Sequence, residues 1–428
     1  MRTRSKHAAG FCLLTATLVG AVIAHAERPR FRADAVLKDY AGETLMAVGV
    51  HGHGSNGVLT GPNAEMLRGT VTKHADCAQA IVFAAWPHAG GIWPAEQPSS
   101  VDSMRFDTTT LDWLIDWAVS EDLTVAHHLL IGPNFYMPTW FATAGYTPKE
   151  LDDLMRRYLA AALGPNGKEG RVRSWNLVNE VFETDNSGHY RNDGEGEWDS
   201  RWVGMGMEPD RSGLTGDAKV NAEHPVFIRK MFEYANELTD AKLEIRDYKI
   251  EFARASVTGE DGKLEVEPNR KALAFYQLVK HLQNSGVPID AVGFQMHLNY
   301  GSDHHYRAYA FEEFTESVRK FKRLGLEVYI AELDVGLHWD ECDDIDGVRV
   351  PNDKANFVKL AEQQPKTYYE AVRAARLGGV DMISTWGIVD GTMENWRKDQ
   401  KALLIDEQGQ RKPAYQAVLR ALYDTMPE

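Results

Sequence analysis

The sequence predicts an α/β chain folded as a single (β/α)8 TIM barrel. Three observations carry the prediction. Eight short runs of strand formers recur along the chain, nearly all followed by an amphipathic helical stretch. Most of these runs are apolar from end to end rather than alternating, as strands covered on both faces should be. Polar side chains gather where the runs end, and barrel folds keep their reactive groups at the carboxyl ends of their strands. The alternative is a doubly wound open sheet, but no Gly-rich phosphate loop follows the first strand. Neither an internal repeat nor a Pro- or Ser-rich linker marks a second domain.

The elements follow in order. Leu45 to Val50 is a first strand and Ala80 to Trp86 a second. Thr110 caps a helix carrying Trp113, Ile115, Trp117 and Ala118 at helical spacing. Leu123 to Ile131 is a third strand. Thr147-Pro148 then opens a helix with Leu151, Leu154, Tyr158 and Leu159 on one face. The fourth strand runs through Val172, Trp175, Leu177 and Val178 and ends at Glu180. A polar, Gly-rich insertion from Thr184 to about Glu223 is too long for a simple connection, so it is a functional lid or has local order of its own. A helix from Pro225 to Leu238 leads into strand five, Lys242 to Tyr248. The helix from Asn269 to Asn284 stops at Gly286, and Ala291 to Leu298 is strand six. The helix from Phe311 to Leu324 ends at Gly325, and strand seven, from Glu327, ends at Glu332. The helix from Lys366 to Leu377 ends at Gly378-Gly379, Asp381 to Gly387 is strand eight, and Lys412-Pro413 opens a last helix to Tyr423.

A chain of 428 residues, 43% hydrophobic and 25% charged, has the means for a large packed core and none of the signs of disorder. Its start reads as a secretory signal peptide over residues 1–26. Arg2, Arg4 and Lys6 precede an apolar run from Ala8 to Ala24, and Ala24-His25-Ala26 is a small-x-small cleavage site. The run is short for a retained membrane anchor, and no later segment is long and apolar enough to span a bilayer. A secreted or periplasmic protein is therefore expected, with residues 27–428 as its catalytic barrel. Cleavage removes three positive charges and moves the net charge from −15 to −18, which argues against nucleic acid as a partner. A neutral polymer or small molecule, such as a polysaccharide or oligosaccharide, is the easier partner, and a monomer is expected. Cys77 and Cys342 remain, and two cysteines specify no disulfide framework.

The strand ends carry the chemistry. His127 and His128 end the third strand, Asn179 and Glu180 the fourth, Asp247 and Tyr248 the fifth, Gln295 and His297 the sixth, Glu332 and Asp334 the seventh, and Trp386 the eighth. One strand-end carboxylate is commonly a helix cap or half of an ion pair. Six convergent strand ends are not explained that way. Two carboxylates delivered from distant parts of one chain, Glu180 and Glu332, are what glycoside hydrolysis requires.

These motifs resemble glycoside hydrolase family 10, the endo-β-1,4-xylanase family. Trp175 to Glu180 match its acid/base motif and Ala331-Glu332-Leu333-Asp334 its nucleophile motif. Gln295-Met296-His297 match a Gln-Ser-His run, and Trp386, Gly387, Asp390 and Trp396 match a Trp-Gly-x-x-Asp with a later tryptophan. Leu403 to Asp406 and Lys412 to Tyr415 match the closing motif, so the likeness spans nearly the whole chain after residue 26. The resemblance implies Glu332 as nucleophile and Glu180 as acid/base, about 5–5.5 Å apart as in retaining enzymes. It implies a raised Glu180 pKa caused by the charge of Glu332. It further implies that Asn179 bonds a sugar 2-hydroxyl, that His297 orients Glu332, and that Trp386 lies under a sugar ring. His128, Tyr248, Gln295 and Trp396 are expected to line the substrate site. No metal and no cofactor is needed for this chemistry.

The likeness fails at the sugar-gripping positions. The family's Glu-Asn-x-x-Lys-Trp run after strand two is replaced by Trp86-Pro87-His88-Ala89-Gly90-Gly91-Ile92-Trp93. A tryptophan after strand three is replaced by Gly132, and Asn-Asp-Tyr-Asn at strand five by Arg246-Asp247-Tyr248-Lys249. Retaining β-glycosidase is thus a safer expectation than xylanase. Arg246 and Lys249 give weak grounds for expecting an acidic or substituted sugar. The rivals are the same mechanism on another β-glycan or a short glycoside, and a non-catalytic glycan-binding barrel. The acidic loop Asp340 to Asp346 has no calcium-binding loop spacing and reads as solvated.

Overall fold

The chain was described from a computed structural model over residues 29–54, 57–85, 91–164, 170–258, 264–300, 310–337, 342–343, 349–350, 354–392 and 400–427. Among them eight parallel strands close into the predicted barrel: β1 (Leu45–His51), β2 (Cys77–Ile81), β3 (Thr124–His128), β4 (Ser174–Asn179), β5 (Lys242–Asp247), β6 (Ala291–Phe294), β7 (Glu327–Leu337) and β8 (Met382–Thr385). Each pairs with the next, and Leu45 opposite Met382 joins β8 back to β1. The helices between and after the strands are α1 (Ala64–His74), α2 (Thr109–Ser120), α3 (Pro148–Leu163), α4 (Val226–Asn236), α5 (Arg270–Asn284), α6 (Phe311–Lys322), α7 (Lys354–Gly378) and α8 (Pro413–Asp424). Residues Phe31–Met426 form one compact unit, and none of the described helices is long and apolar enough to cross a membrane.

Local sequence accounts for most of these elements. In α3, Thr147 Oγ1 accepts from the Glu150 amide and Glu150 Oε2 accepts from the Thr147 amide at 2.8 Å, a reciprocal cap. Leu151, Leu154, Met155, Tyr158, Leu159 and Ala162 then bury one stripe against the barrel. All six residues of β4 are buried, as a strand covered on both faces demands.

The barrel interior is layered. Ala47, Cys77, Ala126, Ala291, Tyr329 and Met382 make an apolar layer. A polar network is also buried inside the barrel. Glu244 and Arg246, two apart on β5, share a face and pair bidentately at 2.8 and 2.9 Å with neither exposed. The Arg246 stem occupies the place of a side chain at position 293, where a Cβ would lie 2.6 Å from Arg246 Cγ, so β6 carries glycine there. Arg246 Nη1 donates onward to Gln79 Oε1 at 2.9 Å, and Gln79 Nε2 donates to the Ala331 carbonyl at 3.0 Å. This corrects the expectation that Arg246 faces an acidic sugar: its charge is spent inside the barrel.

Several boundaries differ from the sequence reading. Strand two was expected at 80–86, but β2 pairs over Cys77–Ile81, because β1 and β3 supply ladder partners only there. Gln79 breaks the apolar run and conceals that register. α1 was not expected. Its buried positions Ala64, Leu67, Val71 and His74 keep helical spacing, but two of them are Ala and His and they lie among the weak helix formers Gly69, Thr70 and Thr72, so packing rather than propensity makes it. α7 starts twelve residues before the expected Lys366 and runs through Pro365. Gln364 Nε2 donates to the Val335 and Lys401 carbonyls at 2.7 Å, and Tyr368 to the Ala402 carbonyl at 2.5 Å; these fix the helix where Pro365 removes a backbone donor. The run expected as strand six divides at Gln295-Met296: a short strand, His297–Tyr300, continues against β7 instead.

The insertion of 184–223 has local order. Two short 3-10 turns, Arg201–Met205 and Gly216–Ala218, flank Met207–Pro209, which pairs antiparallel with Glu223–Pro225. A hairpin of Arg254–Thr258 with Leu264–Pro268 follows β5. Cys77 is a free, buried thiol in β2, and burial pushes its pKa up to about 12. Residues 1–26, residues 86–90 and Trp396 lie outside the described residues.

Candidate active site

The site forms just past the end of β4 and midway along β7. Glu180 is the first residue past β4 and takes the left-handed backbone region, with φ 55°. A side chain there costs on the order of 1 kcal/mol, so the surroundings must impose it. They do so on both sides of the peptide. The Glu180 amide donates to the Arg246 carbonyl at 3.0 Å, and the Glu180 carbonyl accepts from Arg191 Nε at 2.7 Å.

The Glu180 carboxylate is held by one oxygen. Among the described residues, Gln295 Nε2 at 2.7 Å, Asn179 Nδ2 at 2.9 Å and the Tyr136 hydroxyl at 3.0 Å all donate to Oε1. The residue is buried, at 5% exposure, and burial raises its pKa above the ordinary 4.5. The Gln295 hydrogen bond opposes the shift, the charges of Glu332 and Asp247 add to it, and Arg191 again opposes it. Burial, rather than the expected charge of Glu332, is thus the larger cause.

Glu332, inside β7, is held by its other end. His297 Nε2 lies 3.0 Å from Glu332 Oε2, and His297 Nδ1 lies 3.0 Å from Asp334 Oδ2. Burial alone would lower the His297 pKa, but Asp334 and Glu332 outweigh it and push it up to about 9. The ring is therefore an imidazolium at neutral pH, donating from both nitrogens. Glu332 Oε1 is buried with no hydrogen-bond partner among the described residues.

His128 Nδ1 lies 3.6 Å from that oxygen, which would be an ion pair only if Nδ1 carried a proton. It does not. Asn176 Nδ2 at 3.0 Å and Arg246 Nη1 at 3.3 Å both donate to Nδ1, and burial together with the Arg246 charge holds the His128 pKa well below 6.5. His128 is neutral, with its proton on Nε2. Trp386 stands edge-on to His128, His297 and His51, with ring centres 5.1, 6.1 and 6.4 Å apart, and so packs against the two histidines that face Glu332.

Asn179 and Gln295 also bond one another, Gln295 Nε2 to Asn179 Oδ1 at 3.3 Å. Tyr248 bonds neither carboxylate. Its hydroxyl meets Thr184 at 2.8 Å and accepts from Arg191 at 3.2 Å, Lys271 lies 3.5 Å above its ring, and burial lifts its pKa to about 12. Lys271 is itself paired with Asp247 at 2.7 Å. His127 packs its ring against Trp175.

Sequence reasoning missed Tyr136, Arg191, Asn176 and His51. Tyr136 sits in a loop beyond Gly132-Pro133, and Arg191 in the insertion; neither falls in a strand-end motif. Asn176 lies within β4, one strand period from Val178, and carried a weak signal as a polar residue in an apolar run.

A second polar cluster holds Asp210, His224 and His281, whose side-chain donor atoms lie within 4.8 Å of one another. Their hydrogen bonds argue against a metal. The Arg211 amide donates to His281 Nδ1 at 3.0 Å, which puts the ring proton on Nε2, facing Glu208 at 3.2 Å. His224 lies between the Tyr190 hydroxyl at 2.5 Å and Asp210 at 2.9 Å. A metal ligand must present an unprotonated nitrogen, and His281 has none to give. The cluster instead fastens the insertion to α5.

Residues 93–421 match the model of glycosyl hydrolase family 10, so the match begins at the last residue of the altered segment at strand two. The endo-1,4-beta-xylanase B of Thermotoga neapolitana is 27% identical over 331 residues, 76% of this chain and 77% of that one. The exoglucanase XynX of Acetivibrio thermocellus is also 27% identical over 76% of this chain, which spans only 25% of that longer protein. Among solved structures, xylanase 10B of Thermotoga petrophila RKU-1 in complex with xylobiose superposes with a TM-score of 0.66 at 22% identity, covering 93% of this chain and 100% of its own.

Proposed function

The chain belongs to glycosyl hydrolase family 10 and is a glycoside hydrolase; from that premise we propose that it is a retaining enzyme that cleaves β-1,4-xylan internally by double displacement. Glu332 attacks the anomeric carbon while Glu180 protonates the leaving oxygen. Water then enters, Glu180 takes its proton, and the glycosyl ester is released. Asn179 bonds the sugar 2-hydroxyl, a contact that strengthens in the transition state, and Trp386 packs against the ring. Export to the periplasm or medium after loss of residues 1–26 and action as a monomer belong to the same reading.

One observation supports it above the rest. Among the described residues each carboxylate has one oxygen in hydrogen bonds and one outside them: Glu180 is held through Oε1 and Glu332 through Oε2. Glu244, by contrast, uses both oxygens on Arg246. A free oxygen on each of two buried carboxyls suits proton transfer and nucleophilic attack.

A second reading keeps the mechanism and changes the glycan. The altered residues 86–93 and Gly132 favour it, because they replace the positions at which the family grips its sugars. Reducing-sugar release from xylans and other β-glucans, with wild type beside Glu332→Ala, separates the two. Release from xylan that vanishes in the variant supports the xylanase reading. Release only from another glycan moves the substrate and keeps the carboxylates. If no glycan is cleaved although glycans bind, the barrel is a binding protein. An NMR spectrum of the first product anomer tests retention.

A further inference from the structure

Tyr136 has no motif to announce it, yet its hydroxyl reaches the carboxyl of Glu180. Three features place it there. Gly132 leaves room for the ring: a Cβ at that position would lie 2.7 Å from Tyr136 Cδ2. Phe83 and Phe135 pack the ring, with centres 5.1 Å away in both cases. The turn that carries it is tied on two sides. The Ala85 amide donates to the Tyr136 carbonyl at 3.0 Å, and Asn134 Nδ2 donates to the Gly194 and Gly196 carbonyls at 3.0 and 2.9 Å. The last two contacts come from the insertion. Where the family carries a tryptophan, this chain thus has glycine, and a tyrosine from farther along the loop packs against it.

We infer that Tyr136 is a positioning residue for the acid/base, which with Asn179 and Gln295 saturates Glu180 Oε1 and so reserves Oε2 for the transferable proton. An oxygen that already accepts from three donors has no lone pair left for a proton, whereas Oε2 takes no hydrogen bond from the described residues. The acidic hydrogen therefore sits on Oε2. The insertion contributes by holding the loop that supplies the third donor.

This rests on the reading of Glu180 as acid/base. The other groups facing Glu180 are Glu332 from β7, Asp247 and Tyr248 from the end of β5, and Arg191 from the insertion, with Lys271 of α5 neutralising Asp247. All are unchanged in Tyr136→Phe, which keeps the ring and loses the donor.

The test is kcat/KM against pH for wild type, Tyr136→Phe and Glu180→Gln, on aryl β-xylobiosides with a poor leaving group (phenol) and a good one (2,4-dinitrophenol). Losing a donor to the anion makes the proton harder to remove, so the alkaline limb of Tyr136→Phe moves to higher pH by about one unit. Its rate falls roughly tenfold on the phenyl glycoside and about twofold or less on the dinitrophenyl one, which needs no acid. An unmoved limb with equal losses on both substrates, while Glu180→Gln still loses phenyl activity selectively, overturns the role of Tyr136 and leaves the mechanism standing. Full phenyl activity in Glu180→Gln removes the acid/base reading and this inference with it. Gly132→Ala, which displaces the ring, is expected to copy the Tyr136→Phe profile.

Discussion

His297 joins Glu332 to Asp334 through the two nitrogens of one ring, each 3.0 Å from a carboxylate oxygen. Because its pKa is pushed up to about 9 from 6.5, the ring stays charged across the neutral range. It fixes Glu332 Oε2, while Oε1 lies buried 3.6 Å from His128 Nδ1. The predictions follow from this arrangement and its neighbours.

The stability that His297 lends has a defined pH window. A histidine whose folded pKa is raised contributes fully below its unfolded value and loses that contribution as pH rises through the folded one. The window therefore runs from about 6.5 to about 9, and the effect is on the order of 3 kcal/mol. Denaturant midpoints at pH 6, 8 and 10 should fall for wild type and stay flatter for His297→Gln. Parallel curves would exclude the charged triad.

Glu180 has the opposite sign. Its pKa is raised above 4.5, so the folded state binds the proton more tightly than the unfolded chain does. Stability then falls as pH rises from about 4.5 through the folded value, and the penalty is complete above it. Glu180→Gln keeps an oxygen for Gln295, Asn179 and Tyr136 and carries no charge. The variant should melt higher than wild type at pH 8, match it near pH 4, and lose about 10²–10⁴-fold in rate on substrates that need an acid. A variant no more stable at pH 8 than at pH 4, relative to wild type, contradicts the sign.

Arg191 holds the Glu180 carbonyl at 2.7 Å, the Trp198 carbonyl at 2.8 Å and the Tyr248 hydroxyl at 3.2 Å. Removing it strands buried acceptors and frees the left-handed backbone of Glu180. Arg191→Met should cost about 2 kcal/mol of stability and roughly 10–100-fold in kcat through misplacement of the acid. Arg191→Lys should restore little, since one ammonium cannot span the three acceptors. Rates and melting curves for both variants check this; full rescue by lysine would show that charge alone matters.

Inside the barrel, Arg246→Met leaves Glu244 buried without its partner, and a cost of about 3–5 kcal/mol is expected. Arg246→Met with Glu244→Leu should recover much of it, because no buried charge remains. A double variant as unstable as the single one would place the cost in packing, where Arg246 fills the space over Gly293. Either variant should also disturb His128, which loses a donor to Nδ1.

The order of eight strands, and the carboxylates of the fourth and seventh, were legible in the chain because both are local facts. Apolar runs define strands and polar residues mark where they turn reactive, but strand seven, expected to end at Glu332, runs on to Leu337 because His297–Tyr300 pairs with its second half. Element boundaries were less legible where packing overrides propensity, as in α1, in α7 through Pro365, and in β2, whose register is set by its neighbours. Arg246 misled for the same reason: a charge next to a strand-end Asp-Tyr reads as a site residue, and only the closed barrel shows that it points inward to Glu244. Tertiary structure alone decided the surroundings of Glu180. Tyr136 and Arg191 come from loops with no periodicity, and they meet the carboxyl and carbonyl of one residue only after the insertion has packed against the loop following β3. What the sequence by itself determined is which groups react, since short-range patterns place them. Which oxygen each group presents depended on contacts between segments distant along the chain, and no local pattern encodes those.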